Sequence, residues 1–160
     1  MSREDAEHAL EAFSKRVGIA PLRFDKSGTA LLAFGEKQEL IFYYAAETDQ
    51  LQIWSPLNDH MLSGQPDADC ALMRYLLEKN FPSTALQGAY FAIDRDMGVV
   101  LLGRSITIDV QNIDRLVDVV TAFAKQVLTI IAAIAGDVSD ALAARRTSEV
   151  PDSDTPIIKA

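Results

Sequence analysis

The sequence predicts an α+β domain: an antiparallel, twisted sheet of about five to six strands with three helices, in the order α-β-β-β(-β)-α-β-β-α. Three observations point there. Apolar residues recur at helical spacing near the start, in the middle and in the last third of the chain. Between those stretches lie short apolar runs bounded by tight turns, which is the pattern of hairpins rather than of crossovers. With 160 residues, 49% of them hydrophobic, the chain is long enough for one real core.

Ser2 with Asp5 three residues on reads as a helix N-cap. Ala6, Leu10, Phe13 and Val17 then follow the helical period, with Glu7, Glu11 and Lys15 elsewhere on the surface. Gly18 suits a left-handed stop and Pro21 forbids continuation, so the first helix spans about residues 3 to 17. A strand-rich block follows. "PLRFD" (21–25) reads as a short strand, and "KSG" as a turn. "TALLAF" (29–34) is a second strand, turned at Gly35-Glu36-Lys37. "QELIFYYAA" (38–46) is a third, rich in β-branched and aromatic residues. "QLQIWS" (50–55) alternates as a fourth, with Leu51 and Ile53 on one face and Gln52 and Trp54 on the other.

"PLNDHMLSGQP" (56–66) reads as a loop punctuated by Pro and Gly. Asp67 is positioned to cap a second helix at about 68–79, with Ala68, Leu72, Tyr75 and Leu76 on its apolar face and Asn80 and Pro82 ending it. "GAYFAIDRDMGVVLLGRSI" (88–106) is a hairpin turned at Asp94 to Gly98, and "SITID" extends its second arm. Asn112 caps a long third helix through Ile113, Leu116, Val117, Val120, Ala124, Val127, Ile131 and Ile134. Gly136 reads as a stop or a weakening. Residues 1–136 thus form one domain, and 137–160 are expected to be a mobile, polar tail.

The bulk numbers exclude several functions. A net charge of −8 and a pI near 4.7 argue against nucleic acid, whose phosphates need clustered Lys and Arg. They also argue against an anionic membrane surface. Lys125 and Gln126 interrupt the most apolar stretch, Val119 to Ala135, which argues against membrane insertion. Cys70 is the single cysteine, so no internal disulfide forms and a reducing cytoplasm is the simplest setting. "MSREDAEHAL" is charged and has no apolar signal core.

Catalytic chemistry is missing as well. His8 and His60 lie far apart with no nucleophile motif around them. Cys70, among Ala68, Ala71 and Leu72, reads as a small buried apolar residue rather than a nucleophile. Asp94-x-Asp96 is a scrap of a calcium loop whose remaining ligands are absent, and Asp is a favoured turn residue. "GEKQEL" lacks the phosphate-loop spacing, "GRSI" is no nucleophile elbow, and Arg145-Arg146 is too small for a nucleic-acid patch. No catalytic residue, metal site or cofactor is expected.

The positive signal is a surplus of apolar strand surface. Ala30 to Phe34, Leu40 to Ala46, Ala89 to Ile93 and Val99 to Leu102 are apolar on both faces. An antiparallel sheet in a soluble protein normally keeps one face wet. Three helices with one stripe each leave apolar area uncovered, and such area marks an interface. Burying ~800 Å² of it per partner at ~25 cal/mol per Å² is a large favourable contribution before association costs. The hairpin's second face with part of the second helix is expected to meet another copy in a two-fold homodimer. Leu72, Tyr75, Leu76, Tyr90, Val100 and Leu102 are the candidates for that interface.

The element order resembles the class I type III secretion chaperones, the Tir-chaperone (CesT-like) family. So do "LRFDKSGTALLAF", "ELIFYYAAETDQLQIWSPL", "NFPSTALQGAYFAIDRDMGVVLLGRSITID" and the amphipathic helix after them, over about residues 3 to 135. The resemblance implies a bacterial, cytoplasmic, non-enzymatic homodimer without cofactor. Its partner is the unfolded N-terminal segment of a secreted effector, held in apolar grooves and kept soluble for secretion. Phe13, Val17, Leu22, Phe24, Leu31, Ala33, Ile41 and Tyr43 are the groove candidates, with strand parity deciding which are exposed. Whether the tail also recruits the secretion ATPase is left open. Two other readings stand beside this one. One is a different protein-interaction module. The other is a small-molecule sensor or enzyme, with Arg104, Ser105 and Asp109 as its few polar candidates.

Overall fold

The computed structural model describes residues 2–35, 37–81, 86–107 and 112–148, without the side chains of 58–61 and 135–148. The expectations placed on Glu36, Pro82, Asp109 and the segment 149–160 lie outside these residues.

The first helix, α1 (Arg3–Val17), starts on a reciprocal capping box. Ser2 Oγ accepts the Asp5 N–H at 3.1 Å, and the Asp5 carboxylate accepts the Ser2 N–H at 2.8 Å. Gly18 ends the helix at φ 76°, a conformation other residues adopt at a cost. Ala6, Ala9, Leu10 and Phe13 bury one face. Ser14 is buried too: its hydroxyl donates to the Leu10 carbonyl at 2.7 Å and accepts the Leu22 N–H at 2.9 Å. That second bond helps explain why 21–25 is not the strand the sequence suggests. The donor of Leu22 turns to α1 instead of to a neighbouring strand, while Leu22 and Phe24 still bury their side chains.

Five strands follow: β1 (Thr29–Phe34), β2 (Gln38–Ala45), β3 (Gln50–Met61), β4 (Tyr90–Ile93) and β5 (Val99–Ile106). They form one antiparallel sheet in the order β1-β2-β3-β5-β4. β3 is longer than "QLQIWS" and continues through Pro56 to Met61. Pro56 is tolerated because it lies past Trp54, the last β3 residue paired with β2, and borders a register shift against β5.

The helix α2 (Pro66–Asn80) begins two residues earlier than its period suggests. Pro66 fits the first turn, where no N–H is needed. Asp69, rather than Asp67, orders the entry: its carboxylate accepts the N–H groups of Ser63 at 2.7 Å and Gly64 at 3.0 Å. The last helix, α3 (Ile113–Ser148), starts at Asn112, whose side chain accepts the Arg115 N–H at 3.2 Å. It runs on past Gly136. A helix-interior glycine costs about 1 kcal/mol relative to alanine. The good helix formers Ala141, Leu142, Ala143, Ala144, Arg145 and Arg146 offset that cost.

The large, fully buried strand side chains, Leu40, Phe42, Leu51, Ile53, Leu57, Val100 and Leu102, share one sheet face. α3 lies against β3 on that face, between α1 and α2. Leu116, Val120, Phe123, Val127 and Ile134 form its buried stripe, so Phe123 takes the place the period gives to Ala124. By length and composition Ile113–Ile134 could cross a membrane, but its stripe is packed into the core.

Candidate functional site: an uncovered sheet face

The register fixes which residues share the opposite face. Leu31 pairs with Ile41, Ile41 with Trp54, Trp54 with Gly103, and Gly103 with Tyr90. One row of side chains therefore crosses all five strands. Among the described residues no helix packs on this row. Leu31 is 58% exposed, while Ile41, Trp54 and Tyr90 are half-buried. A second row adds Pro56, Leu101 and Ala92.

The row is organised around Trp54. Its ring lies over the backbone of Gly103, which has no side chain to keep it away. Tyr90 meets the ring edge-on, with centroids 5.3 Å apart and planes at 87°. Trp54 Nε1 donates to Gln52 Oε1 at 3.1 Å, which satisfies the indole within the same strand. The result is a preformed apolar floor with little polar interruption.

The helix α2 adds a second apolar feature. Met73, Leu77 and Phe81 recur at helical spacing and are exposed, Leu77 at 70% and Phe81 at 77%. Met73, Leu77 and Asn80 border a cavity of about 230 Å³ against Phe91, Ala92 and Ile93 of the edge strand β4. Asn80 occupies the free edge itself. Its side chain accepts the Phe91 N–H at 2.7 Å and donates to the Phe91 carbonyl at 3.1 Å, as a neighbouring strand would.

The structure sorts the expected site residues by side-chain direction. Leu31, Ala33, Ile41 and Tyr43 come together on the uncovered face, and Val17 is exposed at the end of α1. Phe13, Leu22 and Phe24 are core residues, 3%, 8% and 9% exposed, and offer no free surface for a groove. Val100 and Leu102 are fully buried on the inner face, and Leu72 and Leu76 are buried under α2, so none of the four presents a side chain to a second copy. Tyr75 and Tyr90 remain half-exposed. Cys70 is exposed rather than buried, because it lies two positions from Leu72 and so nearly opposite it on α2.

Trp54, Gly103, Pro56 and Leu101 are the members of the site that sequence reasoning missed. A glycine within a β run is a signal of close approach, and Gly103 carried it. Asp94 acts as a turn residue: its carboxylate accepts the Asp96 and Met97 N–H groups at 2.9 and 3.0 Å. No cluster of potential metal ligands occurs among the described residues.

Residues 8–129 match the Tir chaperone protein (CesT) family. A search of curated proteins finds no match. Three solved structures share the fold. One is the HopA1–SchA chaperone–effector complex, with TM-score 0.58 and 18% identity over 83% of this chain and 94% of that one. Another is the ExsC–ExsE complex, with TM-score 0.58 and 20% identity over 81% and 90%. The third is the Yersinia pestis type III secretion chaperone SycH with a fragment of YscM2, with TM-score 0.54 and 18% identity over 77% and 97%.

Proposed function

The chain belongs to the Tir chaperone protein (CesT) family, and we propose that it is a type III secretion chaperone in the bacterial cytoplasm. It binds the non-globular N-terminal segment of a secreted effector and keeps it soluble and ready for secretion. It works by binding, not by catalysis. The observation that carries this reading is the uncovered apolar row from Leu31 to Tyr90, which a soluble chain does not leave to water without a partner.

Two partners share that surface. The β1–β2 half, with Leu31, Ala33, Ile41 and Tyr43 beside Val17, takes the client's apolar residues. The β5–β4 half, with Tyr90, Leu101 and the α2 stripe of Met73 and Leu77, meets a second copy. The domain of residues 1–136 suffices for both roles. Tyr75 lines a separate cleft between α2 and α3, with Gln126 and Ile130, and so lies apart from the Met73 and Leu77 stripe.

Native mass spectrometry of the tagged protein, purified from its own host, tests this. Two copies plus one client polypeptide are expected, with the client protease-sensitive outside a short protected segment. A monomer without a client, or one carrying a bound small molecule, would overturn it.

A further inference from the structure

A second, polar site lies where β5 ends beside the start of α3. Arg104, Ser105, Thr107, Asn112 and Arg115 line a cavity of about 180 Å³, with Leu116 on its apolar side. We infer that this cavity binds a single oxyanion, a carboxylate or a phosphate, between the two guanidinium groups.

Among the described residues Arg74, Arg95, Arg104 and Arg115 lack an acidic partner, and of these four Arg104 and Arg115 line one cavity together. The chain carries 23 acidic residues against 15 Lys and Arg. Three arginines find acids: Arg16 meets Asp114 at 2.7 Å, Arg23 meets Glu11 at 2.9 Å and Arg3 meets Glu7 at 3.5 Å. Among the described residues Arg104 and Arg115 have no ion pair and no side-chain hydrogen bond. Asp114, next to Arg115 in the chain, is already held by Arg16. Arg104 is also half-buried on the inner sheet face, opposite Ile53 and between the buried Leu102 and Ile106.

A half-buried cation without a counterion is costly, and two guanidinium groups lining one cavity repel each other. An oxyanion removes both penalties. The planar guanidinium fork fits carboxylate and phosphate oxygens in a bidentate way. Asn112 on the same cavity adds a side-chain amide donor, its side-chain oxygen being taken by the Arg115 N–H. A water occupies about 30 Å³ of liquid, so the cavity has room for such an anion and residual water. This inference does not depend on the client reading. If a client segment binds, its acidic side chain is the natural source of the carboxylate.

The test is ¹⁵N-resolved NMR of the full chain at constant ionic strength. Sodium phosphate is titrated in one arm and the peptide acetyl-Gly-Glu-Gly-amide in the other. Saturable shifts are expected at the Arg104, Asn112 and Arg115 amides. Arg115→Gln, on the exposed side of a helix, should weaken binding roughly tenfold while preserving the rest of the spectrum, and Arg115→Lys should retain most of it. Arg104→Gln should act in the same direction. Saturation by the peptide at lower concentration than phosphate identifies a polypeptide carboxylate as the source, and the reverse order identifies free phosphate. Shifts that stay linear in both arms, or saturation that survives both Gln substitutions, would overturn the site.

Discussion

Trp54 lies across Gly103, its directly paired neighbour on β5, with the indole ring where a Cβ at position 103 would stand. The glycine is the reason a tryptophan can lie flat in the middle of the sheet. A side chain at 103 forces the ring off the sheet and disturbs its edge-on contact with Tyr90. Gly103→Ala is expected to cost about 1–3 kcal/mol in chemical denaturation, as overpacking typically does. Trp54 is the single tryptophan, so its fluorescence reports the uncovered face alone. Covering that face with a second copy or a client should shift the emission to shorter wavelength. Unchanged emission on binding would place the partner elsewhere.

Leu31 and Val100 separate binding from folding. Leu31→Asp changes an exposed site, so stability should change by no more than about 0.5 kcal/mol. Client binding should be lost while the dimer mass stays the same. Val100 is fully buried on the inner face, so Val100→Asp places a charge in the core and should prevent folding rather than merely split a dimer. Circular dichroism with light-scattering mass measurement distinguishes the two. A folded Val100→Asp monomer would contradict the side-chain direction described above.

Asn80 closes the β4 edge with two hydrogen bonds to Phe91. Asn80→Ala removes both and leaves a part-buried backbone pair unsatisfied, at a cost of about 1–3 kcal/mol. The Tm should fall by roughly 2–4 °C per kcal/mol for a domain of this size. Amide exchange at Phe91 should accelerate by more than at Leu102 in the sheet interior. Equal acceleration at both would mean that Asn80 acts on global stability and not on the edge.

Acid should loosen the turns first. Hydrogen bonds from the Ser27 hydroxyl and the Thr29 N–H hold the Asp25 carboxyl at about 2, below its ordinary 3.8. The Ser2 N–H and hydroxyl lower Asp5, and the Ser63 N–H lowers Asp69. A depressed carboxyl contributes stability that is complete above its unfolded value and is lost as pH falls toward its folded value. Stability should therefore decline from pH 3.8 down to about 2. Asp25→Asn should flatten part of that decline in a pH series of denaturant midpoints. An unaltered profile would remove Asp25 as a contributor.

Local order was legible where a single residue type solves a local problem. Ser2 and Asp5 announced the first helix, Gly18 its end, and Asn112 the start of the last, because caps and left-handed stops act within a few residues. Pro21–Asp25 misled because apolar alternation there serves burial under α1, and its backbone donor goes to Ser14. The candidate site was half legible. Leu31, Ile41 and Tyr43 were picked out, yet Val100 and Leu102 were set on the wrong side. In a strand apolar on both faces the period of two carries no sign.

The sequence by itself determined the element order, the caps of the first and last helices, the acidic surface and the excess of apolar strand area over what three helices can cover. Those properties follow from near neighbours and from composition. Only the tertiary structure decided parity and assembly. It set Leu31, Ile41, Trp54, Gly103 and Tyr90 in one row, turned Val100 inward, and brought Arg104 to the same cavity as Arg115. Strand register is fixed by which face meets the helices. A one-residue slip would exchange the two faces, so that choice belongs to the packed chain rather than to any segment of it.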